Sequence, residues 1–307
     1  MSSPNSHPVL APRPPLPTTS VALLRQLEWR MKQAVENPLT GEYRSVFRGR
    51  GMEFDQVVKY NFGDDIRDID WNVTARLGEP FRKKFIEERE LTVLIVFEDT
   101  LSLQFGSGVR TKRAALLELA SLAMMLSAAN RDRVGIVHAY PGGHRLTEPV
   151  RGRGPILNAI ADLIGRPPPA MADAQPVETP WKFIAHAASN HSMLLWLGDF
   201  PPRLTPLGWP VIRRRYQPIG FRVEDFWERE LPTGETVTAF DPTSNRLVVL
   251  DPQSRAHREA HARWCAERDA SFAKLFPDRQ SRLVVTPEES MVDALVKFFH
   301  GHMRLRR

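Results

Sequence analysis

The sequence predicts an α/β fold with a mostly parallel sheet covered by helices on both faces. Three observations predict it. From residue 91 onward, short apolar and β-branched runs recur, segments of helical period separate them, and turn-forming residues bound each run. Strands that alternate with helices are joined by crossovers, which set the strands side by side in parallel.

Residues 91–97 form the first run, with Val93, Leu94, Ile95 and Val96 in succession; a strand without polar alternation is buried on both faces. Residues 111–130 are almost wholly apolar, and such a helix lies buried against a sheet. Residues 133–139 supply the second strand, 155–164 the next helix and 193–197 the third core strand. A Pro/Ala-rich loop over 166–180 leads to a helix over 181–188. Further strands fall at 219–223 and 281–285, with a helix over 254–275 between them. Residues 236–240 and 246–250 flank Asp241-Pro-Thr-Ser-Asn and predict a hairpin insertion. Thr286 and Glu289 read as a capping box with Pro287 at the first helical position, opening a last helix that runs to about residue 302.

Upstream the pattern differs. Residues 1–20 form a Pro/Ser-rich tail expected to be disordered, and Leu23, Leu24, Leu27, Met31 and Val35 then repeat at helical spacing until Asn37-Pro38. An N-terminal unit over 21–88 combines this helix with an irregular β-rich segment dense in Arg, Asp and Gly, and the main domain spans 89–303. Asp64, Asp65, Arg67, Asp68, Asp70 and Arg76, together with Glu53 and Trp71, are assigned to scaffolding or partner docking. Asp and Arg at such density make bidentate ion pairs that hold irregular backbone.

Composition narrows the function. Hydrophobic residues make up 42% and charged residues 25%, values of an ordinary globular chain. No run approaches the roughly 20 apolar residues of a membrane-spanning helix, and the N-terminus lacks the apolar stretch of a signal peptide, so a soluble cytoplasmic chain is expected. Cys265 is the single cysteine, which excludes an internal disulfide and a cysteine-rich zinc site. The net charge of +6 resides in scattered clusters, such as Arg82-Lys83-Lys84 and Arg213-Arg214-Arg215, read as a solvated basic face; no nucleic-acid partner is expected.

Catalytic signatures are equally sparse. His257 and His261 share a helix face, but Glu259 is not in the H-E-x-x-H position and no third ligand is evident. The stretch from Gly106 to Lys112 lacks phosphate-loop spacing, and no G-x-S-x-G elbow occurs. His138, at a strand end, is read as a packed core residue.

Ligands of open α/β sheets collect at the carboxyl ends of the strands. There the sequence places Glu98, Asp99, Thr100 and Ser102 after the first strand, and Asp199 after the third. Oxygen-rich clusters of this kind suit a hard cation.

The runs Gly49-Arg-Gly-Met-Glu53-Phe, Gly63-Asp64-Asp65-Ile-Arg67-Asp68-Ile-Asp70-Trp71, Phe85-Ile-Glu87-Glu88-Arg89-Glu90 and Asp132-Arg133-Val-Gly135 closely resemble domain of unknown function 58. The resemblance runs from about Gly41 to Gly301. It implies a von Willebrand factor A-like (Rossmann-like) fold and a MoxR-type AAA+ ATPase as partner. The implied role is assembly, maturation or metal loading of a client protein, with methanol dehydrogenase as one setting. The metal-ion-dependent adhesion site of that fold uses Asp-x-Ser-x-Ser, a loop Thr and a later Asp, and it binds Mg²⁺. The matching positions are Glu98, Thr100, Ser102 and Asp199, while the loop near residues 151–155 supplies no Thr.

The resulting expectation is a non-enzymatic adaptor with a degenerate site. Glu98, Ser102 and Asp199 either hold Mg²⁺ or hydrogen-bond to backbone amides and helix N-termini. A metal-dependent hydrolase built on the same carboxylates is the alternative.

Overall fold

The computed structural model describes residues 53–86, 91–170, 175–188, 192–234, 236–241 and 246–304. The expected tail and amphipathic helix within 1–35, and the stretch 87–90, lie outside the described residues.

The described chain opens with strand β1 (Glu53–Lys59), a 3-10 turn (Ile66–Asp68), helix α1 (Trp71–Leu77) and strand β2 (Phe81–Ile86). β1 and β2 pair antiparallel as a sheet of their own.

The main sheet begins with β3 (Thr92–Glu98), followed by α2 (Lys112–Ala129), β4 (Arg133–Tyr140), β5 (Gly143–Arg151) and α3 (Arg153–Gly165). Next come α4 (Trp181–Ile184), β6 (Ser192–Gly198), α5 (Trp209–Arg215), β7 (Tyr216–Val223) and α6 (Phe226–Arg229). The hairpin strands β8 (Val237–Asp241) and β9 (Arg246–Leu250), helix α7 (Arg255–Leu275), β10 (Arg282–Val285) and α8 (Met291–Arg304) complete the chain. The six strands lie in the order β10-β7-β6-β3-β4-β5, parallel except for β5 at one edge. The fold is therefore α/β, as expected.

Alternation along β3 shows why its run is continuously apolar. Val93, Ile95 and Phe97 enter a core shared with α2, α3 and α8, whereas Leu94 and Val96 enter a second core on the opposite face. The second core is aromatic: Trp196 of β6 meets Trp181, Trp209, Phe200 and Phe276 with ring centroids 4.4 to 6.1 Å apart. Edge-to-face and tilted contacts of this kind add to the area they bury.

α2 is capped by Thr111, whose hydroxyl accepts from the Ala114 amide, and 15 of its 18 residues are buried. Its buried hydroxyls are satisfied within the helix: Ser121 donates to the Leu117 carbonyl and Ser127 to that of Ala123.

Two expectations are corrected, and one strand was not expected. The Thr286 to Glu289 motif does not open the last helix; it forms a turn closed by the Glu289 amide on the Thr286 carbonyl, and α8 starts at Met291 behind Ser290. Pro287 is buried in that turn, and the satisfied capping box is at Asp225 and Glu228 instead. The helix expected over 181–188 is only Trp181–Ile184. Strand β5 carried no signal because an edge strand exposes charged residues, and its Pro149 sits beside a register shift where a missing donor is tolerated.

β7 passes beneath α7 at Gly220, where an added Cβ would stand 2.4 Å from Cε2 of Phe276 and 2.8 Å from that of Phe272. Overpacking of this kind costs about 1–3 kcal/mol. Gly220→Ala is expected to lose stability in that range in urea unfolding, with an unchanged m-value; wild-type stability in the variant would refute the close approach.

Candidate functional site

The carboxyl ends of β3, β6 and β7 form one edge of the parallel sheet, and each ends in acidic residues: Glu98 and Asp99, Asp199, and Glu224 and Asp225. The local fold decides which of them face outward. After β3 the chain enters a 3-10 turn capped by Thr100, which buries Leu101 and Leu103 and leaves Thr100 and Ser102 only partly covered. After β6, Phe200 adopts a left-handed conformation (φ 49°), a strain offset by a ring that packs 4.8 Å from both Trp196 and Phe272.

Asp199 gathers the hydroxyls. Its carboxylate accepts from Ser102 Oγ and, at 3.3 Å, from Thr100 Oγ1, while the two hydroxyls lie 2.9 Å apart. Lys112, the first residue of α2 and fully buried, reaches in with its Nζ 3.5 Å from Asp199 Oδ2 and 2.5 Å from Glu228 Oε1. Burial pushes the Asp199 carboxyl up. Lys112, the Ser102 hydrogen bond, Arg203 and the residue's own backbone amide outweigh it and bring the group below the usual carboxylate range.

Glu98 turns away from the hydroxyls. Its Oε1 accepts from Thr179 Oγ1 at 2.7 Å and from Arg203 Nη1 at 3.0 Å. The Arg203 guanidinium also lies 5.2 Å from the Trp196 ring centroid. Burial works against the Arg203 charge, but the Glu98 carboxylate prevails and raises its pKa further.

Asp99, fully buried, takes a bidentate bond from Arg113 and a third contact, 3.0 Å, from His138 Nε2. Arg166 Nη1 stands 2.7 Å from His138 Nδ1. A guanidinium only donates, so Nδ1 accepts and Nε2–H points at Asp99. His138 is thus a buried core residue with both ring nitrogens in use.

A second set of charges continues the network. Glu224 is gripped by Arg222, Arg229 and Arg268, and Arg268 also lies 3.8 Å from Glu228. Asp225 caps α6 and holds Ser107 through both its amide (2.9 Å) and its hydroxyl (2.6 Å), which fixes the loop after β3.

Large apolar side chains are exposed on the same strand-end loops. Phe105 and Val109 follow β3, Leu204 and Leu207 follow β6, and Phe226 follows β7; Leu204 is 91% and Leu207 87% exposed. Exposed apolar surface rimming polar groups marks interaction sites.

Glu98, Thr100, Ser102 and Asp199 thus share one strand edge, but not one ligand cage. Of the two expected arrangements, neither holds as written. Apart from a backbone amide at Asp199, the partners are side chains rather than helix N-termini, and Glu98 and Asp199 already face Arg203 and Lys112. Among the described residues, no three His, Cys, Asp or Glu side chains are grouped to hold a metal ion. Mg²⁺ draws oxygen ligands to about 2.0–2.1 Å, and a dication placed between these carboxylates would meet two fixed positive charges. The residues present do not fit it.

The N-terminal cluster combines backbone caps with single ion pairs, where bidentate pairs were expected. Asp65 and Asp70 accept backbone amides at the starts of the 3-10 turn and α1, and Asp64 binds the Asn61 amide. Arg82 pairs with Asp64 at 2.8 Å, Lys83 with Asp70 at 3.7 Å, and the exposed Arg67 with Asp65 at 3.5 Å. Short Asp side chains reach nearby N–H groups more readily than distant guanidinium groups. Trp71 is exposed and Arg76 lies in the last turn of α1. Glu53 lies in β1 opposite Ile86, and Asp68 ends the 3-10 turn. His257 and His261 act separately, His257 Nδ1 accepting the Asp251 amide while His261 lies against Cys265.

Sequence reasoning missed Lys112, Thr179, Arg203 and Glu228 as site residues. Thr179 sits in a Pro/Ala-rich loop and Arg203 in a Pro-rich one, so neither belonged to a motif. The Asp225-Phe-Trp-Glu228 spacing was the available signal for Glu228.

A carboxyl whose pKa is lower folded than unfolded stabilises fully above its unfolded value, about 3.9, and loses that contribution as pH falls through the folded value. Asp199→Asn is therefore expected to flatten the acid limb of a Tm-against-pH curve below that point. It also leaves a buried ammonium short of a partner, a loss of about 3–5 kcal/mol near neutral pH. Parallel acid limbs for the two proteins would show that Asp199 is not the titrating group.

The family of proteins of unknown function DUF58 matches residues 56–271. Uncharacterized proteins of Mycobacterium bovis and Mycobacterium tuberculosis are 29% identical over 264 residues, spanning 82% of this chain and 80% of theirs. The pilus adhesin SpaC of Lactobacillus rhamnosus GG, in its open conformation, aligns with a TM-score of 0.38 at 10% identity, over 71% of this chain and 30% of the adhesin. With most of its length matched by the family, this chain belongs to the DUF58 family.

Proposed function

We propose that the chain is a non-enzymatic interaction protein with a von Willebrand factor A-like fold. In this reading it works with a MoxR-type AAA+ ATPase in the assembly, maturation or metal loading of a client protein. The strand edge carries the reading: the hydroxyls of Thr100 and Ser102, pinned by Asp199, are accompanied by exposed apolar side chains on the neighbouring loops. Glu98, Asp99, Asp199 and Glu224 each have a cationic partner, so the edge offers contact surface without free reactive charge. Counted from β3, the strand order is 3-2-1-4-5-6 with the third strand antiparallel, which supports the fold assignment.

The hydrolase alternative asks Glu98 or Asp199 to position a cation and activate water. Two features weigh against it. Both carboxylates already face a cation, and Asp199, with its lowered proton affinity, is a weak general base near neutral pH. Turnover that vanished in Asp199→Ala while folding survived would reverse this judgement.

The docking reading predicts that the double variant Leu204→Asp/Leu207→Asp loses at least tenfold in affinity for the cognate MoxR-type ATPase, measured by surface-immobilised binding. Its Tm is expected to stay at the wild-type value, because both side chains lie almost wholly in solvent. Equal affinity in the double variant removes this edge as the docking face.

A further inference from the structure

We propose that the Lys112 ammonium is the built-in cation of the strand-end site, holding Asp199 in lieu of a divalent ion so that the edge keeps one arrangement whatever the Mg²⁺ concentration. This deepens the docking reading and concerns the same site, but its test reads ion binding by the chain alone. A missing ATPase interaction would leave it intact, and a wild-type Mg²⁺ isotherm would remove it while the docking reading stood.

Four observations carry it. Lys112 is fully buried, and its long stem is directed inward from the first turn of α2. A buried ammonium persists only where carboxylates compensate it, and its Nζ lies between Asp199 and Glu228. Asp199 in turn organises Ser102 and Thr100, so the ammonium stands one carboxylate away from the hydroxyls that a dication would otherwise draw together. Arg203 does for Glu98 what Lys112 does for Asp199, leaving neither carboxylate free for coordination.

The covalent tether separates the two designs. A free dication is lost by dilution, chelation or competition, and the site it orders responds to its concentration. A lysine anchored in a buried helix is lost only on unfolding. Its removal leaves Asp199 and Glu228 as carboxylates without their shared cation, which is an opening for a small hard ion.

The test uses the full chain, with MgCl₂ or MnCl₂ as probe, read by isothermal titration and by Tm at constant ionic strength. Wild type and Lys112→Arg are expected to give no saturable heat and no change in Tm at millimolar ion. Lys112→Met is expected to melt several degrees lower, to bind Mn²⁺ or Mg²⁺ saturably, and to recover at least half of the lost Tm. If Lys112→Met folds only with ion present, that outcome supports the proposal equally. The double variant Lys112→Met/Asp199→Asn, which removes both members of the pair, is expected to fold without ion and to ignore it. Saturable binding by the wild type overturns the proposal. So does a Lys112→Met chain that is indifferent to both ions, or one that no ion rescues while the double variant folds.

Discussion

Carboxylates at the ends of parallel strands are buried here, and a buried carboxylate is tolerated only beside a cation or several donors. That requirement organises the edge. Asp99 takes Arg113 and His138, Asp199 takes Lys112, Glu98 takes Arg203, and Glu224 takes three arginines. The cations arrive from different elements, so the start of α2, the loop after β6 and the middle of α7 are each held to the sheet by charge as well as by apolar packing. Lys112 and Arg268 both touch Glu228, which joins the Asp199 and Glu224 clusters into one continuous set.

With these carboxylates paired internally, the hydroxyls of Thr100 and Ser102 and exposed apolar side chains stand beside them at the edge. Phe200 shows how the two cores cooperate with the edge. Its left-handed backbone turns the chain immediately after Asp199, and the aromatic core receives its ring. The guanidinium of Arg203 rests over the same cluster, so the cation that neutralises Glu98 is positioned by Trp196 and Phe200. Among the described residues no helix is long and apolar enough to cross a membrane.

Much of the fold was legible in the sequence. β3, β4 and β6 announce themselves because strands buried on both faces need apolar residues at every position, and α2 because a helix enclosed by sheet and helices needs them all round. β5 and the short helices α5 and α6 left little trace, since an edge strand and one- or two-turn helices are stabilised by what they pack against. The Thr286 to Glu289 motif misled for the complementary reason: its residues suit a helix start, but the turn they form places α8 one step later.

The sequence by itself determined the α/β class, the family, and that Glu98, Thr100, Ser102 and Asp199 would share one edge of the sheet, because parallel strands with helical crossovers bring their carboxyl ends together. Only the tertiary structure decided what those residues do. Lys112 and Asp199 are 87 residues apart, Thr179 and Glu98 81, and Arg203 and Glu98 105. Pairings at such separations have no local periodicity to betray them. They arise from packing α2, β6 and their loops over one sheet, where an unpaired charge would not be stable.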